Sequence, residues 1–391
     1  MKATVDSVQL SRAVSHVTRV LDPDHTALSV RAADGGLVFE AVGEGYSRAS
    51  VQADVEEPGE ALVAGVRFAL YADAMPSGEV ALSSRQAATG GFLNLSAGSL
   101  SVDARLLTGA SMPQVPQAPA DMLGVDPEVF GQAVATAASF ASRDKSNPVL
   151  GGVRLRERDG RLGIEATDRY RAYVRTLDVA VPEGLDVIAP AEWLRTAGAK
   201  ATAFGATDRA MFVSGDGTLD MTPLIDGAYP DLGRAFSPER LRSDSVAKVE
   251  RAALVKAART MRRLVDDKPV METRFGSDGV TMTLRGADQD VVQWVPAEVS
   301  ADATRRINID YLLDALAALG SDDVEVRPGR MFRFVDESDP STLVVAAEFR
   351  GNQERGGGHG AIPDQRVGDR GPSGQALRPH LRHGRRRHAR P

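Results

Sequence analysis

The residues that could carry chemistry are few, and their spacing does not build an active site. The sequence contains no cysteine, which excludes disulfides, thiolate catalysis and cysteine-ligated zinc. It has no phosphate-binding glycine loop, no nucleophile elbow and no His-Glu-x-x-His pair. Outside the C-terminal region the histidines are His16, expected on a solvated helix surface, and His25. Asp168 and Asp226 stand in turn-like contexts, so we expect no enzymatic activity, no cofactor and no metal site.

Composition indicates an ordinary globular protein with an uneven charge distribution. The 391 residues suffice for two or three domains, and 42% are apolar and 26% charged. From Gly351 onward nine arginines stand against three acidic residues, which leaves 38 basic and 50 acidic residues, a net charge of −12, in residues 1–350. Any DNA contact of this acidic body must therefore be local. The sequence indicates neither a signal peptide nor a membrane span, and the expected compartment is the cytoplasm.

The elements that would position functional residues occur three times. Each copy opens with a valine and an acidic residue, followed by apolar residues at offsets of 5 and 8 from the valine. This spacing is typical of an amphipathic helix whose acidic start suits the helix dipole. The copies are Val5-Asp6 with Leu10 and Ala13, Val125-Asp126 with Phe130 and Ala133, and Val249-Glu250 with Leu254 and Ala257. Their spacing indicates a duplicated unit of about 120 residues.

A hairpin and a second helix recur behind each first helix. Asp-Gly stands at 34–35, 159–160 and 278–279 between strand-like runs, and tight turns favour this dipeptide because they need positive φ. Apolar strands then lead into short helices at Val63-Ala64-Gly65-Val66, Ile188-Ala189-Pro190-Ala191 and Ile307-Asn308-Ile309-Asp310. The pattern predicts an α+β protein with three tandem domains, each having two helices packed on antiparallel sheets.

The predicted domain limits follow changes in composition. The first domain covers 1–118 and ends in a proline-rich connector, the second covers 121–243, and the third covers 245–350. Residues 351–391 have little apolar content, so we expect a disordered basic tail. Two interpretations of the tail stay open: Arg385-Arg386-Arg387 and Arg390 add non-specific DNA affinity, or the tail has no function. The spacing of His380 and His383 does not by itself define a metal site.

Several segments resemble the beta subunit of bacterial DNA polymerase III, the sliding clamp family, over roughly residues 1–350. In the second domain, residues 147–153 are similar to the family's opening strand. Residues 166–171, Ala-Thr-Asp-Arg-Tyr-Arg, resemble its Ala-Thr-Asp-x-x-Arg signature in the form of actinobacterial clamps. Residues 224–231 are similar to its Leu-Ile-Asp-Gly-x-aromatic-Pro-Asp segment, and residues 307–319 to its third-domain helix entry.

The resemblance implies a head-to-tail homodimer in which six similar domains form a ring around duplex DNA. Such a chain is a non-catalytic processivity factor that tethers DNA polymerase and other replication and repair proteins. Clamp-loader subunits and polymerases bind it through short linear motifs. Leu106 and Leu107, in the last strands of the first domain, are the predicted apolar contacts of the dimer interface. An alternative stays open: an accessory or decoy module, phage-encoded or a second copy, that does not efficiently encircle DNA.

A sliding ring should present modest positive charge to DNA without binding one register. In the first and third domains, basic residues fall opposite the apolar face of the first helix. The second domain has Gln132 and Ser139 at the equivalent positions, with Arg143 one turn further on. The predicted DNA-binding residues are Arg12, Arg19, Arg143, Lys256, Arg259 and Arg263. The alternative is that they are ordinary charged residues on solvated helix faces.

The resemblance also implies a pocket for partner peptides between the second and third domains. An apolar cleft with a few polar groups suits a short peptide anchor. The implied residues are Leu150, Thr167, Arg169, Tyr170, Arg171, Ala172, Pro230, Arg234, Ala235, Val344 and Val345. Without the resemblance, residues 166–171 would be interpreted as a strand and its turn.

Two departures from the family pattern concern this pocket. Ala172 replaces a larger aliphatic residue, which predicts a wider pocket. Residues 346–350, Ala-Ala-Glu-Phe-Arg, stand where family chains end in Met-Pro-Met-Arg-Leu or similar, and the basic tail follows them. The pocket wall is therefore expected to differ from that of the family.

Overall fold

The computed structural model describes residues 1–33, 35–88, 90–264, 269–285 and 290–350. The elements repeat in three units. The first unit consists of β1 (Lys2–Asp6), α1 (Ser7–Val17), β2 (Ala27–Ala33), β3 (Gly36–Val42), β4 (Tyr46–Gln52), β5 (Asp54–Glu57), β6 (Gly59–Ala64), α2 (Gly65–Asp73), β7 (Glu79–Ala87), β8 (Gly90–Ala97) and β9 (Leu100–Arg105).

The second and third units follow the same plan. The second consists of β10 (Leu123–Gly124), α3 (Pro127–Phe140), β11 (Gly152–Arg158), β12 (Arg161–Thr167), β13 (Arg171–Ala180), β14 (Asp186–Pro190), α4 (Ala191–Ala197), β15 (Ala203–Ala206), β16 (Ala210–Gly215), β17 (Thr218–Pro223) and α5 (Leu232–Ala235). The third consists of β18 (Ala247–Glu250), α6 (Arg251–Arg262), β19 (Val270–Gly276), β20 (Gly279–Arg285), β21 (Asp290–Val295), β22 (Ala297–Val299), β23 (Ala303–Asn308), α7 (Ile309–Ala317), β24 (Asp323–Arg327), β25 (Met331–Val335) and β26 (Thr342–Ala347).

The predicted first helices begin at their acidic residues. The Asp6 carboxylate accepts hydrogen bonds from the backbone N–H groups of Val8 and Gln9, and Asp126 caps α3 in the same way. Such caps satisfy backbone donors that have no partner within the helix. Leu10, Val14 and Val17 of α1 are fully buried, as the apolar periodicity predicts. The apolar spacing of the first helix of the third unit extends to Val265, which lies outside the described residues.

The Asp-Gly dipeptides mark hairpins, with one shift in register. Asp159 and Gly160 form a two-residue turn with φ of 53° and 78°, and Arg158 pairs with Arg161 across it. Ala33 pairs with Gly36 around the first predicted turn, whose Asp34 lies outside the described residues. In the third unit Gly276 pairs with Gly279, so Ser277 and Asp278 are the turn residues rather than 278 and 279.

Two of the four sheets continue from one unit into the next. The eight-stranded sheet has the order β10-β15-β16-β17-β4-β3-β2-β6, and the nine-stranded sheet has the order β14-β11-β12-β13-β26-β25-β24-β18-β22. We call the antiparallel pair β4–β17 the first joint and the antiparallel pair β13–β26 the second joint. The five-stranded sheet β5-β1-β7-β8-β9 and the four-stranded sheet β21-β20-β19-β23 belong to the first and third units alone.

The apolar core is divided at the first joint and continuous at the second. One large cluster fills the first unit, whereas a second runs without interruption through the second and third units. No described helix or strand crosses the predicted limits at 118–121 and 243–245, which themselves stay a prediction. The predicted disordered tail, 351–391, lies outside the described residues. In the described part of the chain, every helix is too short or too polar to span a bilayer.

Candidate peptide cleft and nucleic-acid interface

The second joint separates its side chains onto two faces. Ala172 pairs with Val345, and Tyr173 with Val344. Because alternate residues of a strand face opposite sides, Tyr173 and Val344 join the core beneath the helices, and Ala172 and Val345 face outward. The outward residues belong to a separate apolar group, which we call the outer cluster: Ala172, Val174, Ile188, Tyr229, Leu232, Ala235, Phe236, Met331, Val345 and Ala347.

The segment between the end of β17 at Pro223 and the start of β18 at Ala247 covers the outward face of the second joint and completes the outer cluster. The Tyr229 hydroxyl accepts a hydrogen bond from the Thr167 N–H at 3.1 Å and donates one to the Gly152 carbonyl at 3.4 Å. Burial raises the pKa of this hydroxyl well above its usual value. The Asp231 carboxylate caps α5 by accepting the Arg234 N–H at 3.1 Å. These bonds hold the segment against the outward face of β12 and β13.

The turn between β12 and β13 places an aromatic side chain at the surface. Asp168 Oδ1 accepts the N–H groups of Tyr170 and Arg171 at 2.9 and 3.0 Å, and Arg169 adopts a φ of 80°. Tyr170 is left 52% exposed. Its carbonyl accepts the N–H of Ala347 at 2.6 Å, so the turn is fastened to the end of β26.

Arg171 points to the opposite side, into the interface between the second and third units. Its Nε donates to Asp168 at 2.9 Å, its Nη2 donates to the Ser139 carbonyl at 2.9 Å, and its Nη1 bonds Asp314. The guanidinium carbon also lies 5.2 and 5.0 Å from the ring centres of Phe140 and Tyr311. Burial lowers the pKa of Arg171, but the Asp168 and Asp314 carboxylates outweigh it and raise that pKa overall. Arg171 therefore ties α3 to α7.

The eleven residues predicted for the pocket divide into three groups. Ala172, Ala235 and Val345 meet in the outer cluster. Arg169, Tyr170, Pro230 and Arg234 lie at its edge, half-buried or exposed. The remaining four are buried: Leu150, Thr167, Arg171 and Val344. Phe236, Met331 and Ala347 belong to the cluster and were not predicted; the two-residue alternation along β26 would have identified Ala347.

The first joint contains a polar contact that the sequence did not reveal. Asp220 of β17 accepts the Ser47 hydroxyl at 2.6 Å, and both of its carboxylate oxygens lie 3.0 Å from His16 Nε2. The expectation of a solvated His16 is therefore wrong, because a carboxylate of the next unit lies against it. The serine contacts the carboxylate and not the imidazole, so these groups do not form a nucleophile–base pair.

The helices of the three units form one continuous series. Within each unit the two long helices contact one another: α1 with α2, α3 with α4, and α6 with α7. Between units, α1 and α4 line a common groove of about 490 Å³, and Arg171 joins α3 to α7. The spatial order is therefore α2, α1, α4, α3, α7, α6.

The six residues predicted to contact DNA are all exposed, on α1 and α6 or directly after these helices and α3. Arg12 Nη2 lies 2.7 Å from Asp216 Oδ2, but both side chains are about two-thirds exposed, so the pair is worth little. Lys200 lines the α1–α4 groove with Arg12 and Arg19 and was not predicted. It supplies positive charge from the second unit, whose first helix lacks basic residues at the equivalent positions.

Known proteins show the same organisation. A family model for the DNA polymerase III beta subunit, central domain, matches residues 124–231. The beta sliding clamp of Streptomyces coelicolor is 29% identical over 366 residues, which cover 88% of this chain and 93% of the relative. The beta sliding clamp of Micrococcus luteus is 28% identical over 314 residues, 76% of this chain and 99% of the relative. The crystal structure of a Bacillus subtilis DNA polymerase sliding clamp matches with a TM-score of 0.81 at 17% identity, covering 90% of this chain and 99% of that one.

Three α+β units that share sheets at their joints, with one series of helices, define a clamp-type fold. The resemblance inferred from the motifs is confirmed: the central part of the chain matches the DNA polymerase III beta subunit model, and most of the chain is similar to bacterial beta sliding clamps.

Proposed function

We propose that two copies of this chain close head-to-tail around duplex DNA and hold a DNA polymerase on it. The observation that carries the proposal is the repeated geometry of the joints. Each joint pairs the third strand after the first helix of one unit, β4 or β13, with the last strand of the following unit, β17 or β26. Applied once more, this rule pairs β21 of the third unit with β9 of a first unit.

Both strands are positioned for such a pairing. Strand β21 is the edge of the four-stranded sheet, and β9 is the edge of the five-stranded sheet. Exposed strand edges are open to pairing with another chain. Val292 and Trp294 of β21 are exposed apolar residues, an arrangement that favours a covered surface. A second copy supplies the missing neighbour at each end, and the ring then closes.

The helices support the same closure. At the two joints, the first helix of one unit lies beside the second helix of the next, α1 with α4 and α3 with α7. The helices left over are α6 and α2. Val66 and Leu70 are exposed apolar residues on α2, and Leu264 is exposed just beyond α6. We infer that these apolar residues meet across the dimer interface.

Leu106 and Leu107, directly after β9, stay the predicted apolar contacts of this proposed interface. The Leu107 N–H donates to the Leu62 carbonyl at 2.8 Å, and Leu106 forms a β-bridge with Val63. Their backbones therefore fasten the end of β9 to β6. We propose further first-unit contacts across the interface from β9 itself and from α2.

We assign one kind of partner to the helix series and another to the outer cluster. The exposed basic residues of the helix series are the proposed contacts with duplex DNA, without sequence preference. The outer cluster is the proposed receptor for linear motifs of polymerase and clamp-loader subunits. The chain has no catalytic role of its own in this function, and its place of action is the cytoplasm. The domain limits 1–118, 121–243 and 245–350 remain part of the proposal.

The test combines solution mass with retention on DNA. Light scattering at micromolar concentration should give the mass of two chains, and Trp294→Arg should shift the protein toward the monomer. Tyr170→Arg is the matched control, because Tyr170 and Trp294 are each 52% exposed. The control should stay dimeric. Once placed on nicked circular DNA by a clamp loader, the dimer should stay bound until the circle is cut.

Other outcomes have a clear meaning. A monomer under all conditions would contradict the ring and favour a clamp-fold module that binds partners without encircling DNA. A dimer that resists Trp294→Arg would place the interface elsewhere.

A further inference from the structure

The outer cluster reaches solvent at one end of the second joint. Along β26, Val345 and Ala347 belong to the cluster, and Phe349, two residues beyond the end of the strand, has 45% of its surface exposed. Tyr170 lies at the same end, because its carbonyl accepts the Ala347 N–H. Two exposed aromatic side chains therefore extend a buried apolar surface to the protein exterior, as expected for an anchoring site.

Four exposed arginines adjoin this region through the chain or through backbone hydrogen bonds, and we call them the rim arginines: Arg234, Arg240, Arg306 and Arg330. Three directly precede cluster or cluster-packed residues, namely Ala235, Leu241 and Met331. The fourth, Arg306, accepts the Phe349 N–H with its carbonyl at 2.8 Å, and Arg330 accepts the Glu348 N–H at 3.0 Å. Three of the four are thus chain neighbours of the apolar surface, and backbone hydrogen bonds tie Arg306 and Arg330 to the residues that follow β26.

The acidic groups in the same region are already engaged. Glu348 lies 3.8 Å from Arg305 and 3.9 Å from Arg350, and Asp231 caps the backbone of α5. Glu239 bonds Ser237, and this hydrogen bond lowers the pKa of Glu239. The opening is therefore a positive region on a body whose net charge is −12. Such a local inversion attracts a ligand of opposite sign.

We propose that the outer cluster and its rim arginines bind an extended partner segment that carries acidic residues beside an apolar anchor. This inference rests on the proposed tethering function, and it names the chemistry of the tethered segment. The apolar anchor covers the outer cluster between Tyr170 and Phe349. The flanking carboxylates face the rim arginines, where partly exposed charges speed association and discriminate between partners.

The experiment measures the affinity of the full chain for three fluorescent peptides by anisotropy. The peptides share one apolar anchor of four residues, and carry four flanking residues that are all Asp/Glu, all Ser/Gln or all Lys. At low salt the acidic peptide should bind at least about tenfold more tightly than the neutral one, and the lysine peptide most weakly. The acidic advantage should shrink toward onefold near ~0.5 M salt, where such charges are screened.

Variants assign the effect to the rim. The double substitution Arg240→Ser with Arg330→Ser should reduce the acidic-to-neutral affinity ratio several-fold. The matched control, Arg161→Ser with Arg209→Ser, removes the same charge from exposed arginines elsewhere and should keep the ratio. Circular dichroism of each variant verifies the fold.

The possible outcomes distinguish a failure of the acidic-partner inference from a failure of the proposed tethering function. Equal affinities for the acidic and neutral peptides would overturn the acidic-partner inference and leave the cleft intact. An acidic preference that survives loss of the rim arginines would assign it to other charges, which also overturns the inference. If none of the peptides binds, the proposed cleft itself fails.

Discussion

Arg171 shows how one side chain can hold two units together. Its Nε and Nη atoms bond Asp168 in its own turn, Ser139 at the end of α3 and Asp314 on α7. A planar fork of donors suits this task, because it satisfies several acceptors in fixed directions. Family resemblance assigned the residue to a peptide pocket, whereas its surroundings make it a structural link behind that pocket.

Replacing Arg171 with Leu should lower the free energy of unfolding by about 3 kcal/mol, because the substitution leaves the poorly exposed Asp168 without its charged partner. Both tryptophans, Trp193 and Trp294, lie in the two units that Arg171 links, so fluorescence in urea reports the effect. Arg161→Leu is the control, since the Arg161–Asp178 pair is exposed and should contribute less than ~1 kcal/mol. Similar losses for both variants would argue against the link.

Asp336 should make stability depend on pH in the acidic range. Burial raises the pKa of this carboxyl, but hydrogen bonds from Ser338, Ser321 and Gly320 outweigh burial and hold the pKa well below its usual value. The stabilisation is therefore complete above the unfolded pKa of ~3.9 and is lost as pH falls toward the folded pKa.

Asp336→Asn should cost about 2 kcal/mol at neutral pH, because the amide accepts the two backbone N–H groups at 2.9 Å less strongly than a carboxylate does. Urea unfolding between pH 7 and pH 3 should show a constant gap between the variant and the natural protein down to about pH 4. The gap should then narrow. A gap that widens on acidification would contradict the assigned direction of the pKa shift.

At the scale of elements, local signals could be predicted and contacts between units could not. The caps at Asp6 and Asp126 and the turn at Asp159-Gly160 depend on residues within a few positions, so the sequence predicts them. The joints depend on pairings such as Ser47 with Asp220, which lie 173 residues apart. No periodicity in the sequence encodes such a pairing. For this reason His16 was predicted to be solvated, although it lies against Asp220 of the next unit. The family resemblance predicted which residues form the proposed cleft. Only the alternation of side chains along the strands determines which of these residues face outward.

Substitution of two glycines can test how closely β4 and β17 are packed at the first joint. Gly160 and Gly217 each follow an aspartate in a tight turn, with φ of 78° and 74°. A Cβ on Gly160 would meet nothing within 4 Å, whereas one on Gly217 would lie 2.9 Å from the Ser50 carbonyl oxygen of β4. The Ser50 N–H also donates to the Gly217 carbonyl at 2.9 Å.

Gly160→Ala should therefore cost about 1 kcal/mol, the strain of a left-handed alanine. Gly217→Ala carries the same strain and adds a clash across the joint, so we expect a loss of about 2–3 kcal/mol. It should also speed proteolysis of the connector 106–122, because the first and second units separate more easily. Thermal unfolding and limited digestion with proteinase K, which does not require Lys or Arg in the connector, measure these effects. Equal losses at both glycines would mean that β4 and β17 adjust without cost.

At the scale of the whole molecule, the body is acidic while exposed cations gather along its helices. Lys256 and Arg259 lie on α6 with Arg263 directly after it, and Arg12, Arg19 and Lys200 meet at the α1–α4 groove. A ring of this kind attracts phosphates weakly through a few contacts and is retained by its topology. Affinity and retention then have different physical origins.

Replacing Lys256, Arg259 and Arg263 together with Ser should separate the two quantities. Binding to short linear duplexes should weaken, and the slope of log affinity against log salt should fall by about one for each lost phosphate contact. Retention on nicked circular DNA should change little, since a closed ring cannot leave without opening. The control replaces Arg161, Arg209 and Arg240, exposed arginines outside the helix series, and should leave the salt slope unchanged. If retention and affinity fall together, the chain is held on DNA by its charges rather than by encirclement.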